Sequence, residues 1–149
     1  MQKGFTASVA IMIATATAAF AVTLPNDATE LSPAEVKAMY EGKTSDWKSV
    51  RVFFAPDGSA KMVRKDKKAY GEGRWTVAGN KMCLSINAIQ VSDKKNRTVD
   101  DCYSWFKSGS KHFMRWSGDE AKADAYRDDE PARLAKGDLV SKDHAALAK

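Results

Sequence analysis

The chain has 149 residues, a formal net charge of +5 and 44% hydrophobic residues, with only two cysteines and two histidines. That length fits one domain, large enough to bury about two thirds of its unfolded surface and so to fold without a structural metal. Few metal-ligating and base-forming side chains are present, which argues against zinc frameworks and against histidine-activated nucleophiles.

Met1, Gln2 and Lys3 give a short positive start, and the small, apolar stretch 4–14 follows, with no further charge before Asp27. Ala19-Phe20-Ala21 is a small-x-small cleavage site, so residues 1–21 read as a signal peptide and the mature chain is expected to begin at Val22. A membrane anchor would need about 20 predominantly apolar residues, whereas Thr6, Ser8, Thr15 and Thr17 interrupt this stretch. No cysteine follows the cleavage site to carry a lipid, and no later segment is apolar enough to be a transmembrane anchor. The expected destination is outside the cytoplasm, periplasmic or secreted. Only Lys3 is charged in the removed part, which leaves a mature charge of +4 that is unevenly spread: residues 42–117 hold 16 Lys and Arg against 7 Asp and Glu.

After a polar leader, Leu31-Ser32-Pro33-Ala34-Glu35-Val36 carries a capping signal: Ser32 at the cap, Pro33 at the first helical position, and Glu35 closing a capping box. A helix of about nine residues is expected, ending at Gly42 and too short to stand alone. Alternation then replaces the helical period. Strands are predicted at 50–54, 59–65, 70–77, 82–88, 98–107 and 111–116, with a tight turn at Ala55-Pro56-Asp57-Gly58. Gly71 and Gly73 in the third of these suggest a bulge or a close backbone approach.

Cys83 and Cys102 are nineteen positions apart, and in an exported protein such an even pair reads as a disulfide. A hairpin that paired them would turn between Ser92 and Asp93, inside a polar loop, and the closed loop of about 20 residues would stabilise the fold by roughly 3 kcal/mol. Residues 118–149 are rich in Ala, Asp and Lys, and read as a charged, partly helical or disordered tail with weak helical stretches at 131–136 and 139–148. The expected fold is mainly β (α+β): a short N-terminal helix, then an antiparallel meander of about six strands, as a sheet or small barrel with one disulfide. The domain is expected over 22–117.

The capped helix over 31–42, Lys43-Thr44 with Trp47, Phe53-Phe54-Ala55-Pro56-Asp57-Gly58, Gly73-Arg74-Trp75-Thr76-Val77, Met82-Cys83-Leu84 and Cys102-Tyr103 occur in a familiar order. In that order the chain resembles a secreted bacterial family known as domain of unknown function 995, over about Leu31 to Trp116. The family commonly has a K-T-W-like step after the helix; here Ser45 and Asp46 displace the tryptophan to Trp47. The resemblance implies a bacterial, periplasmic protein and brings neither an activity nor catalytic residues.

Site chemistry therefore rests on the residues. His112 and His144 have no neighbouring ligand pattern, so no metal and no cofactor are expected, and no nucleophile elbow or phosphate loop is present. Asp100 and Asp101 are adjacent on a strand and should face opposite ways. Asp128-Asp129-Glu130 reads as a solvated helix start or linker. Asn96-Arg97-Thr98 matches a glycosylation acceptor by chance, since the modification belongs to eukaryotic secretion. The remaining signal is cationic: Arg64, Lys65, Lys67 and Lys68 at one connection and Lys94, Lys95 and Arg97 at another form a candidate anion-binding patch. Export disfavours nucleic acid as its partner, and leaves an anionic envelope polymer, a lipid headgroup or an acidic protein. The plainer alternative is an aromatic core with a solubilising lysine surface. The expected function is a non-catalytic envelope binding or interaction protein of unknown ligand. The alternatives are a carrier of a small apolar or anionic ligand in a barrel pocket, and a hydrolytic enzyme whose carboxylates are scattered in sequence.

Overall fold

Local chemistry sets the start of the domain. Ser32 accepts a hydrogen bond from the Glu35 backbone N–H at 3.3 Å, while Glu35 Oε2 accepts from the Ser32 backbone N–H at 2.8 Å, completing the capping box of α1 (Pro33–Tyr40). Lys107 reaches Glu35 at 2.6 Å, and these bonds pull the exposed Glu35 carboxyl down to about 2. Leu31, Val36 and Tyr40 are the buried side of this segment. The computed structural model describes residues 22–120 and 125–149, so the expected signal peptide lies outside the described residues.

Nine strands follow the sequence: β1 (Thr29–Glu30), β2 (Lys43–Asp46), β3 (Val50–Phe54), β4 (Ser59–Arg64), β5 (Ala69–Ala78), β6 (Lys81–Gln90), β7 (Asn96–Ser108), β8 (Lys111–Trp116) and β9 (Leu134–Lys136). They form one antiparallel sheet in the order β8-β7-β6-β5-β4-β3-β2-β9, with β1 pairing to the far end of β7 beyond the start of β6. The six expected strands are all present, as a meander that curls into a half-barrel. β2 was not legible because Lys-Thr-Ser-Asp has no apolar alternation, yet Thr44 and Ser45 are 0% and 1% exposed.

The curl depends on β5. Gly71 and Gly73 pair in unbroken register with Ala88 and Ile86, so they mark a close approach and not a bulge. A Cβ on Gly73 would lie 1.8 Å from the Ser85 carbonyl oxygen, and one on Gly71 2.7 Å from that of Asn87. On the concave side, α1 seats against β2, β5 and β6. Tyr40 meets Phe54 and Trp105 edge-on, at 4.8 and 5.9 Å between ring centroids, and accepts a hydrogen bond from Trp105 Nε1 at 3.1 Å. Two strands four places apart in the curled sheet, β3 and β7, thus meet on one helical side chain. Cys83 and Cys102 are direct register partners and are joined as a disulfide, with Cα atoms 4.1 Å apart.

Residues 125–149 of the expected tail pack on the domain. Val22 and Tyr126 exchange backbone hydrogen bonds, as do Met114 and Arg127. The chain then crosses from β8 to β2, where β9 pairs Ala135 with Thr44. The stretch 131–136 is consequently no helix: a 3-10 turn (Glu130–Arg133) leads into β9. The stretch 139–148 is helical, as α2 (Ser141–Leu147), packed on β4 and β5 with Val140 against Val63 and Tyr70. Its packing was not legible in the sequence because only Val140 among its buried anchors Tyr126, Glu130, Val140 and His144 is aliphatic, so they leave no apolar period. Polar bonds help hold it, since Thr44 Oγ1 donates to the Gly137 carbonyl at 2.7 Å and accepts from the Leu139 N–H at 3.1 Å.

Gly73→Ala is expected to destabilise the domain by about 3 kcal/mol or more, because backbone and not a flexible side chain blocks the added methyl. Urea unfolding should register the loss, and Ala78→Gly on the same strand should cost only about 1 kcal/mol.

Candidate functional site

Alternate residues of β3, β4, β6 and β7 point into the concavity and enclose a cavity of about 270 Å³. Its walls are Val50, Val52, Phe54, Met62, Met82, Leu84, Ile86, Ala88 and Val99. The innermost lining, Tyr40, Phe54 and Met82, is 1–2% exposed, so the cavity is closed beside α1. Ser49, Arg64, Gln90 and Arg97 line the other end and are exposed, which marks it as the mouth.

A buried carboxyl enters this apolar space from the side. Glu130, at the head of the 3-10 turn, is 3% exposed and lines the cavity. Its Oε1 accepts from Ser45 Oγ at 2.9 Å, and Ser45 Oγ in turn accepts from Trp47 Nε1. Burial dominates its titration and pushes it up to about 7, against the Ser45 bond, the Arg133 charge and Trp47, all of which favour the anion. The neighbouring Asp129 raises it further, while Asp129 itself holds Arg133 at 2.6 Å. A carboxyl poised near neutrality inside apolar walls can donate or accept a hydrogen bond according to pH. Burial and this carboxyl also raise the phenols of Tyr40 and Tyr103.

Trp47 and Tyr103 meet edge-on at 5.7 Å and divide the cavity from an outer cleft of about 230 Å³. Trp47, Asp101 and Tyr103 line both spaces; Met114, Trp116 and Arg127 complete the cleft. Asp101 accepts from Trp116 Nε1 at 2.6 Å, and Asp100 faces outward as the strand period requires.

The fold brings the two cationic clusters together at the mouth. The Lys68 carbonyl accepts from the Val91 N–H at 2.9 Å, tying the β4–β5 and β6–β7 connections side by side. Much of the charge is matched there. Arg64 pairs with Asp66 at 2.7 Å, Lys65 with Asp46 at 2.6 Å, Lys67 with Asp143 at 3.6 Å and Lys95 with Asp93 at 3.4 Å. Lys94 lies over the Tyr70 ring at 5.9 Å. Lys68 and Arg97 have no ion pair among the described residues, and of the seven only Arg64 and Arg97 line the cavity. His112 is half-buried, and His144 is buried on the inner side of α2, where desolvation lowers its pKa.

Glu130, Ser45 and Trp47 escaped sequence reading. Glu130 sits in an acidic run that resembles a solvated linker, and the structure corrects that reading because the turn after Asp129 aims it inward. The only signal was Pro131 behind it, which fixes the backbone at the start of that turn.

The model of the family described as Protein of unknown function (DUF995) matches residues 8–140, and the chain belongs to that family. No curated protein and no solved structure matches it.

The Glu130 carboxyl binds its proton more tightly folded than unfolded, where it titrates near 4.5. Its contribution to stability is therefore complete below pH 4.5 and is lost as pH rises through 7, a change of about 3 kcal/mol. His144 acts in the opposite direction at mildly acidic pH, so the informative quantity is the difference between variants. Glu130→Gln should match the parent near pH 4.5 and exceed its melting temperature at pH 8, as calorimetry at both pH values would show.

Proposed function

We propose that this chain is an exported, non-catalytic binding protein that holds one small, largely apolar molecule in the cavity under its curled sheet. The observation that carries this reading is the cavity itself: apolar walls drawn from four strands, one closed end, one open end, and few polar groups between them, the Glu130 cluster and Asp101. That is the usual make-up of a small-molecule site, apolar lining with few placed polar groups. The polymer-binding expectation has less behind it, because most of the cationic rim is already paired with Asp46, Asp66, Asp93 and Asp143.

Export draws on the leader-like residues 1–21, the Cys83–Cys102 disulfide and the absence, among the described residues, of a helix long and apolar enough to cross a membrane. Expression of the full chain in a bacterium should yield a periplasmic product whose intact mass begins at Val22; a cytoplasmic product retaining Met1 would overturn the export reading.

A hydrolase remains the second reading on one observation, that Glu130 and Asp101 both line the cavity in unlike surroundings. Its weakness is that Ser45 and Trp116 already engage these carboxylates, between walls poorly suited to a polar substrate. Turnover of an aryl ester or glycoside that both Glu130→Gln and Asp101→Asn abolish would favour it.

The apolar fluorophore N-phenyl-1-naphthylamine should brighten on binding the purified protein. Ala88→Phe, which fills the cavity from β6, should weaken that binding at least tenfold while leaving the far-ultraviolet circular dichroism unchanged. No enhancement with the parent protein, or equal enhancement with the folded variant, would count against the cavity as a binding site.

A further inference from the structure

Resting on the cavity reading, we infer that the ligand is a singly charged anionic amphiphile, its hydrocarbon body inside the half-barrel and its acidic head at the mouth on Arg97 and Arg64. Three observations converge on that orientation. Exposure rises along the lining from Tyr40, Phe54 and Met82 to Arg64, Gln90 and Arg97, so a bound molecule has one end in apolar enclosure and the other in solvent. At the solvent end, Arg97 faces the cavity with no ion pair among the described residues, and on the tied hairpins beside it Lys68 and Lys94 add positive charge that no carboxylate pairs among the described residues, whereas Lys65, Lys67 and Lys95 are matched by Asp46, Asp143 and Asp93. An arginine fork suits a carboxylate or sulfate head by paired hydrogen bonds, and a cationic rim raises the local concentration of anions. Arg64 is half-committed to Asp66 through bonds of 3.0 and 2.7 Å, which leaves Arg97 as the principal anchor.

The enclosed end accepts no second charge. Inward of the mouth its polar groups are Asp101, held by Trp116, and the cluster of Glu130, Ser45 and Trp47, already bonded to one another, and both carboxyls would repel an anion when ionised. Sugars and dianions therefore fit poorly, and the rim repels cations. A single chain or ring with one acidic terminus remains.

Displacement of N-phenyl-1-naphthylamine from the mature protein, at pH 6 and low salt, separates charge from chain. Octanoate should displace the probe at a concentration at least tenfold lower than octan-1-ol, and acetate, with the charge but no chain, should displace none. In Arg97→Gln the octanoate advantage should disappear while octanol is unchanged, and in the parent it should shrink in 0.5 M salt. Equal displacement by octanoate and octanol from the parent, or an advantage that survives Arg97→Gln, overturns the anionic head while the cavity reading stands. Displacement by acetate overturns the chain requirement. A probe that never binds removes the cavity reading itself.

Discussion

Between Gly73 and Ser85 the backbones of β5 and β6 approach so closely that a single methyl group on the glycine would collide with a carbonyl oxygen. This contact is what lets the sheet turn tightly enough to face itself. Once it does, β3 at one side and β7 at the other come within reach of the same helix, so Tyr40 can touch Phe54 and Trp105 together. The core is the concave face of that curl, and the cavity is the part of the curl that α1 leaves unfilled.

Closure from the remaining side has a different chemistry. Trp47 and Tyr103 meet across the gap, and the strap from Tyr126 to Lys136 bonds to β8 at one end and to β2 at the other. Burying a carboxyl in such a seam is costly, and the protein lessens the cost with one serine hydroxyl and with a proton held to higher pH than an exposed carboxyl would hold it. Such a seam is polar at two carboxyls, Glu130 and Asp101, set against otherwise apolar walls.

The parts of this fold written in contiguous residues were readable from the chain. The Ser32–Glu35 capping box, the Pro56-Asp57-Gly58 turn, the six alternating strands and the pairing of Cys83 with Cys102 each depend on neighbours within one element or one hairpin. The close approach at Gly71 and Gly73 was half-readable, since glycine signals the absence of a side chain without saying whether the ladder breaks. Thr44, Ser45 and Glu130 were opaque for a physical reason: their burial is decided by partners about ninety residues away, and polar residues leave no periodic trace when long-range hydrogen bonds satisfy them. The cationic clusters could be read as clusters, but their neutralisation by Asp46 and Asp143 depended on the folded arrangement.

The strap also dictates an order of assembly. The β6–β7 hairpin closes locally, so its disulfide can form while much of the chain is still emerging, whereas the seam must gather residues from positions 22, 44, 114, 126 and 135. Contacts of such long sequence separation form late. Oxidation and closure of the seam would then be separate milestones in the life of one molecule: a chain halted before its last twenty residues would hold a complete disulfide-bonded meander and still lack Glu130 and β9.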